Sequence, residues 1–587
     1  MNKINNVFFN RIPQISFTSK PSNTIKVKED SENKEYQEVV LSDYLKSMGI
    51  VNSVAVKKVD KKLGTPPVGY KNDLKTLIQN NQSVMLAISP RTFTAEDKNG
   101  DDKIMLTEGE KPGTFLKAIE RLDELKEDGF NTIHILPIHP PGTIKAMGTA
   151  GSVYSPAKFL EKDGTLAIES VLIEEDDPRS PSEQFKAFIN ECHKRGIRVM
   201  LDIPSCASVT WYINEKPLMA FGFNKEDRTP QGWADIRMFE PWDDESKRTL
   251  NPKLLELHKQ YVDACIDLGI DGIRADVARA KPTEFWDILI PYSREKDPEF
   301  AWLAESYTYE CASPQVNMPY DRPEDMLRAG FDEFYGQYHI FHQWGAKEFN
   351  DYVKLNLEMS NRLGSNKTCI GSFMTHDDET AMNHGGDIYC NMTTVLQNTI
   401  PMCNPYFVDG FQTGDYYNYK YSNEFSKESL TDSFKMKHHD YKFEIFNFAR
   451  KPGGDFPDMR RVLQEANQMR KDNLDLFADK NSSYIELDVF GDKKDNIIAF
   501  ARHNNGRTAV VVVNKNPNRA LAGTISIPGL KETQALKNMA PVYGEERSEF
   551  QVAEGELRVN LAPAGAYVFE IDTPNIEKDR EGHVFKQ

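Results

Sequence analysis

GIDGIRADVARA, residues 269–280, is the stretch that decides the fold. It runs from a glycine through a short apolar segment to Asp276, two residues after Arg274. Two later segments follow the same plan. AWLAES (301–306) brings Glu305 to its end, and FMTHDDE (373–379) brings Asp377 to its end beside His376. Each acid therefore closes an apolar run of the length and character of a buried strand. Acids at the same ends of successive parallel strands are the arrangement in which a (β/α)8 barrel keeps its chemistry. Carboxylates that act as a pair or trio on one small bond point to glycoside cleavage.

The surrounding sequence supplies the other strands. SVMLAIS (83–89), NTIHILPI (131–138) and IRVMLDIP (197–204) precede the quoted stretch, and GFDEFYG, CIGSFMT and IPMCNPYFV follow it. Between them lie helical patterns. Residues 114–128 place Phe115, Ile119, Leu122 and Leu125 at helical spacing before Gly129. Ser180-Pro181-Ser182-Glu183 is a capping box with proline at the first helical position, and Asn251-Pro252 opens a helix that Gly269 ends. Strands joined in this way by helices define an α/β architecture, and eight of them a closed TIM barrel, assigned to residues 71–480.

An oversized loop of about residues 204–250 follows strand three and holds Trp211, Trp233 and Trp242. These rings could stack on sugar faces or form the small core of an inserted lobe. From about residue 481 short β runs replace the helical periodicity, and Asn505-Gly506 is a hairpin signal. Residues 481–573 read as a separate antiparallel β-sandwich, followed by a tail over 574–587.

Composition narrows the function. At 587 residues the chain exceeds one compact core, and 39% hydrophobic residues with 11% aromatics describe a globular protein. A net charge of −17 argues against a nucleic-acid partner. No apolar run is long enough to span a bilayer. The seven cysteines are scattered singly with no CxxC pair, which favours a reduced, cytoplasmic setting over a disulfide framework or zinc site. Residues 1–70 read as a partly disordered extension. Its first 28 residues carry five basic residues and no acid, a composition shared by targeting peptides, but they lack the apolar core of a secretory signal.

The chemistry expected of the strand ends follows from the residue types. Arg274 and Asp276 are two apart on a strand and so point to the same side. A fixed cation there keeps a nucleophilic carboxylate ionised. Glu305 follows Trp302-Leu303-Ala304, an apolar setting that raises a carboxyl pKa and suits an acid that must hold its proton.

These segments, in this order, resemble those of the α-amylase superfamily, glycoside hydrolase family 13, over about residues 80–572. LAPAGAYVFEI resembles the closing strand of that family's C-terminal domain. The resemblance implies a retaining enzyme acting on α-1,4-glucosidic bonds of starch- or glycogen-type oligo- and polysaccharides. It implies Asp276 as nucleophile, Glu305 as acid/base and Asp377 as transition-state stabiliser. Arg274 and His376 become substrate-side contacts, Asp202 the arginine's buried partner, and Tyr154 the ring that stacks on the cleaved sugar.

Departures from the family accompany it. LDIPSCAS places Cys206 and Ala207 where an Asn-His pair is usual, and that asparagine commonly binds calcium. Arg279-Ala280 replaces the Lys-His found on the acceptor side of many hydrolases. HILPIHPPG and AKPTEFW are similar to the maltosyltransferase branch. Asp97-Lys98-Asn99-Gly100-Asp101 has the alternating oxygens of a calcium loop, with a plain turn as the alternative and Met105 where a last acidic ligand belongs. The remaining histidines, including His134, His139, His438 and His439, read as structural or surface residues without metal spacing. Hydrolysis and transfer to a second sugar share one covalent intermediate, and both stay open, as does a non-catalytic glucan-binding protein on the same fold. An unrelated barrel lyase or aldolase finds no lysine or metal constellation of its own here. Oligomeric state is not encoded in any of these features.

Overall fold

The computed structural model describes residues 63–96, 98, 109–146, 151–215, 235–306, 323–335, 345–363, 368–370, 382, 385–414, 456–544 and 547–586. Eight short strands form its central sheet: β1 Met85–Ile88, β2 Thr132–Ile135, β3 Arg198–Ile203, β4 Gly272–Ala275, β5 Ala301–Ala304, β6 Glu333–Tyr335, β7 Thr368–Ile370 and β8 Tyr406–Val408. All pairings are parallel, in the order β7-β6-β5-β4-β3-β2-β1-β8. Because β8 returns to pair with β1, through Met85 opposite Tyr406, the sheet curls on itself as a (β/α)8 barrel must. β1, β2, β4 and β5 are buried at every position, as strands covered on both faces have to be.

Two helices that fix the working end of the barrel form where the sequence places them. α1, Pro181–Lys194, has Ser180 accepting from the Glu183 N–H while the Glu183 side chain accepts from the Ser180 N–H. α2, Pro252–Leu268, is capped by Asn251 and ends on Gly269 in the left-handed conformation at φ 92°, which leads directly into β4. The segment expected as one helix over 114–128 is instead Phe115–Ala118 and Leu122–Glu127, joined by a 3-10 turn at Ile119–Arg121. Arg121 is drawn out of the regular helix by donating to the Phe93 carbonyl at 2.6 Å and to Asp409.

The loop after β3 carries a hairpin of Cys206–Ser208 and Ile236–Met238 with a short helix, Val209–Asn214. Trp211 is buried there, edge-on to Phe159 and Phe239, and so serves the lobe's own core. Trp242 is half-buried beneath the Arg248 guanidinium, and Trp233 lies outside the described residues.

Beyond residue 480 the chain builds two antiparallel sheets, one of six strands and one of four. The long hairpin Ile497–Asn504 and Arg507–Asn514 turns on Asn505 (φ 52°) and Gly506 (φ 81°), the two positive φ values that a tight hairpin turn requires. The final residues do more than trail: Val584–Phe585 pairs with Ser483–Glu486 at the edge of the larger sheet, preceded by a helical turn at Ile576–Asp579. Phe500 of the sandwich stacks on Phe349 of the barrel helix Ala346–Leu363, so one apolar core runs through both.

Two buried arginines lock this junction. Helix α3, Gly386–Thr399, ends with carbonyls that have no partner in their own helix. Arg470, on the helix Pro457–Asp472, donates to Asn398 O (2.8 Å), Asn81 O (2.7 Å) and Cys403 O (2.7 Å). Arg502, on the sandwich strand, donates to Thr399 O (2.9 Å) and Ser483 O (3.3 Å). Among the described residues no carboxylate forms an ion pair with either guanidinium, and burial pushes Arg470 down to about 10 and Arg502 to about 9. The negative end of the α3 dipole is what both cations face.

Candidate active site

Four residues from the ends of β3, β4 and β5 meet around one guanidinium. The strand register sets Asp202 opposite Arg274 and Ala275 opposite Ala304, which delivers Asp276 and Glu305 to the same rim. Arg274 is fully buried. Its Nη1 lies 3.0 and 2.8 Å from the two oxygens of Asp202 and 3.1 Å from Asp276 Oδ1. Its Nη2 lies 2.7 Å from Glu305 Oε2. Asp276 Oδ2 also accepts from the main-chain N–H and the hydroxyl of Ser205, both at 3.0 Å. The Val277 N–H donates to Glu305 Oε2 at 2.7 Å.

Tyr154 and Tyr335 flank the cation with ring centres 5.8 and 5.4 Å from it, and the Tyr154 hydroxyl donates to Asp202 Oδ2 at 2.9 Å. Burial, opposed by Arg274 and reinforced by Asp276, raises Glu305 to about 7. Asp276, by contrast, is surrounded by donors. Glu305 is thus the carboxyl of the pair suited to hold a proton near neutral pH.

The floor of this site holds residues that the sequence reading missed. His134, taken there for a structural or surface histidine, is fully buried in β2, with Nε2 3.3 Å from Asp202 Oδ2 and Nδ1 3.0 Å from the Tyr406 hydroxyl. Tyr406 is in turn 3.1 Å from the Tyr335 hydroxyl. Burial lowers the His134 pKa, so the ring is neutral. Its tautomer follows from its partners: Nε2–H donates to the carboxylate and Nδ1 accepts from Tyr406. The available signal was a polar ring in the middle of an apolar strand.

Lys281 is the second omission. It is 3% exposed, with Nζ 5.6, 5.9 and 5.7 Å from the ring centres of Phe239, Phe285 and Trp286, and among the described residues no acceptor is hydrogen-bonded to its ammonium. Burial pushes it down to about 8, with Asp276 and Cys206 acting in the opposite sense.

Of the other expected site residues, Arg279 sits half-buried in the turn Ala278–Ala280 just past Asp276. Asp377, His376 and the acids of the Asp97–Asp101 loop lie outside the described residues. The Cys206 thiol is buried and donates to the Tyr154 carbonyl at 3.1 Å. Asp235 nearby is buried with neither carboxylate oxygen hydrogen-bonded, and burial raises it to about 7. A thiol already committed to a carbonyl, a carboxyl that tends to neutrality and a buried ammonium do not fit a hard divalent cation that wants oxygen. Among the described residues no group of three or more His, Cys, Asp or Glu side chains is placed to hold a metal.

Comparisons with known proteins bear on the fold and on the C-terminal domain. Residues 488–572 match the model of the α-amylase C-terminal all-beta domain. An alpha-1,4-glucan:maltose-1-phosphate maltosyltransferase of Corynebacterium glutamicum is 24% identical over 434 residues, covering 71% of this chain and 57% of that protein. One of Bifidobacterium animalis subsp. lactis is 23% identical over 492 residues, covering 78% and 60%. The chain thus spans somewhat over half the length of these relatives. Among solved structures, a maltogenic alpha-amylase of Thermotoga neapolitana superposes with a TM-score of 0.60 at 18% identity, over 84% of this chain and all of that one. An alpha-amylase of Lactobacillus plantarum gives 0.56, also at 18% identity and with the same coverage. The C-terminal domain thus matches that of the α-amylases, and the chain as a whole shares their fold.

Proposed function

We propose that this protein is a retaining α-1,4-glucan enzyme whose preferred outcome is transfer of a glycosyl group to another sugar. The observation that carries the reading is the sharing of one guanidinium by Asp276 and Glu305. Carboxyls held so close leave no room for the water that an inverting enzyme places between its pair, and they suit a covalent intermediate.

In the first step Asp276 attacks the anomeric carbon while the bond to the leaving oxygen breaks, and Glu305 gives that oxygen its proton. In the second, Glu305 takes a proton from the incoming hydroxyl, which attacks the same carbon and releases Asp276. Arg274 is the counter-charge beside the Asp276 carboxylate before it attacks and again as it is released, and Tyr154, tied to Asp202, presents its ring to the sugar. Asp377 and His376 are assigned to the sugar hydroxyls.

Transfer is favoured over hydrolysis because the relatives bear the name of maltosyltransferases and because Arg279-Ala280 stands on the acceptor side. The substrates proposed are malto-oligosaccharides and α-glucans, with a maltosyl phosphate as a donor to be tried. A reducing compartment such as the cytoplasm suits the five buried cysteines among the described residues, which form no disulfide; among those residues no helix is long and apolar enough to cross a membrane.

The deciding experiment incubates the protein with maltotetraose, alone and with maltose 1-phosphate, and resolves the products by chromatography. Longer oligomers, with phosphate release in the second mixture, are the expected result. Only shorter products would establish hydrolysis instead. No turnover of either mixture would leave a glucan-binding protein on this fold.

A further inference from the structure

Seven non-glycine residues among those described have positive φ, and Val277 is the one that is β-branched. At φ 36° and ψ 59° it occupies the left-handed region, which a branched side chain resists more than asparagine or glycine does. The chain is pinned on both sides of it. Asp276 N–H bonds to Ile203 O (3.1 Å), Ala278 N–H to Glu305 O (3.1 Å), and Trp286 Nε1–H to Ala278 O (3.0 Å). Between those anchors the backbone reverses and aims the Val277 N–H at Glu305 Oε2.

We propose that the main-chain N–H of Val277, held in this strained turn, fixes which oxygen of Glu305 carries the catalytic proton. The proposal rests on the reading of Glu305 as the general acid. Oε2 accepts from the Val277 N–H at 2.7 Å and lies 2.7 Å from Arg274 Nη2, so negative charge is stabilised on that oxygen and a proton there is disfavoured. The proton is therefore confined to Oε1. A general acid protonated on the wrong oxygen shows the leaving group a lone pair instead of a donor, so the selection matters to every turnover. Local strain of this kind persists only where the surroundings over-determine it, and here they do. Val277 is thus a positioning residue that works through its backbone.

The test replaces Val277 with its α-hydroxy acid analogue, which turns the Asp276–Val277 amide into an ester. The side chain stays and the donor is lost. The groups acting on Glu305 are otherwise unchanged: Arg274 and Asp276 on and just after β4, Cys206 after β3, His134 on β2 and Tyr335 on β6. The Val277 N–H favours ionised Glu305, so its loss raises the alkaline limb of kcat/KM by about one pH unit, the effect of one hydrogen bond to a charged group. Turnover of natural glucan falls about tenfold, and an activated phenyl glycoside, which needs little protonation, loses far less.

An unmoved limb with both substrates equally affected overturns the proposal. Val277→Gly keeps the N–H and enters the left-handed region freely, so it retains the wild-type limb and melts no lower than wild type. A limb displaced as in the ester, or a lower melting temperature, overturns it independently. Glu305→Gln separates the two levels. If that variant turns over natural glucan normally, the acid assignment itself is wrong. If it fails on glucan alone while the ester leaves the limb in place, only the role of Val277 is wrong.

Discussion

Replacing Lys281 with methionine should make the protein more stable at pH 7 and less active. Lys281 carries an ammonium into an apolar cage of Phe239, Phe285 and Trp286, and among the described residues no acceptor is hydrogen-bonded to it. Its pKa falls from 10.5 to about 8, a depression that corresponds to about 3 kcal/mol of destabilisation while the group is charged in both folded and unfolded chains. The three ring faces return about 1–2 kcal/mol through cation–π attraction, and methionine keeps the length of the stem. The expected net gain is therefore about 1–2 kcal/mol, read as a higher urea midpoint.

The pH dependence gives the sharper test. Below about pH 8 the lysine is protonated in both states and the penalty is complete. Between about 8 and 10.5 the unfolded chain binds the extra proton, so wild-type stability rises with pH relative to the variant. The two urea midpoints should converge over that interval. A variant that is less stable at pH 7, or a difference that does not change between pH 7 and 10.5, would refute the claim that the ammonium is uncompensated. The same substitution removes a buried positive charge near Asp276, and kcat on natural glucan should fall.

Asp276→Asn cannot form the glycosyl ester and should lose at least ~10³-fold in kcat with an unchanged melting curve; near-normal turnover in a clean preparation would end its assignment as nucleophile. Glu305→Gln should fail on natural glucans yet accumulate a covalent intermediate with an activated phenyl glycoside, visible by mass spectrometry. Melting curves in chelator and in excess calcium should nearly coincide, since Cys206 is bound to the Tyr154 carbonyl where a metal ligand is usual. A chelator effect that survives Asp97→Ala and Asp101→Ala would show that the lobe does bind metal. Arg502→Met should destabilise by about 2–4 kcal/mol in urea, because the carbonyls of Thr399 and Ser483 lose their buried donor; an unaltered midpoint would mean that the cost of burying the guanidinium cancels its bonds.

The eight strands were legible because each is a short apolar run ended by a turn residue, and Arg274 and Asp276 because strand alternation puts residues two apart on one side. The floor beneath them was not. His134, Tyr335 and Tyr406 come from three different strands, and their meeting depends on how the closed sheet staggers, a quantity that no single strand records. Lys281 looked like an ordinary charge ahead of a proline, since its burial is decided by Phe239 from a lobe 42 positions earlier. The conformation of Val277 is invisible for another reason: valine is a residue the left-handed region disfavours, so local propensity pointed the other way. The 3-10 break at Ile119–Arg121 likewise depends on a tertiary partner, Asp409, that local periodicity does not include.

The paired arginines at the end of α3 bear on how this architecture can be recombined. Arg470 and Arg502 come from a barrel helix and a sandwich strand, yet they donate to adjacent carbonyls at the end of α3, Asn398 O and Thr399 O. Cutting the chain near residue 480 would leave one guanidinium and half a helix end facing a void. Grafting a sandwich from another family member would succeed only if an arginine arrived at the Arg502 position. For protein engineering the exchangeable unit is therefore neither domain but a cassette that starts at α3 and runs to the last strand, Val584–Phe585. Its leading edge, Gly386, lies nine residues after Asp377 in sequence, so exchanging that cassette would leave Asp377 with the parent barrel.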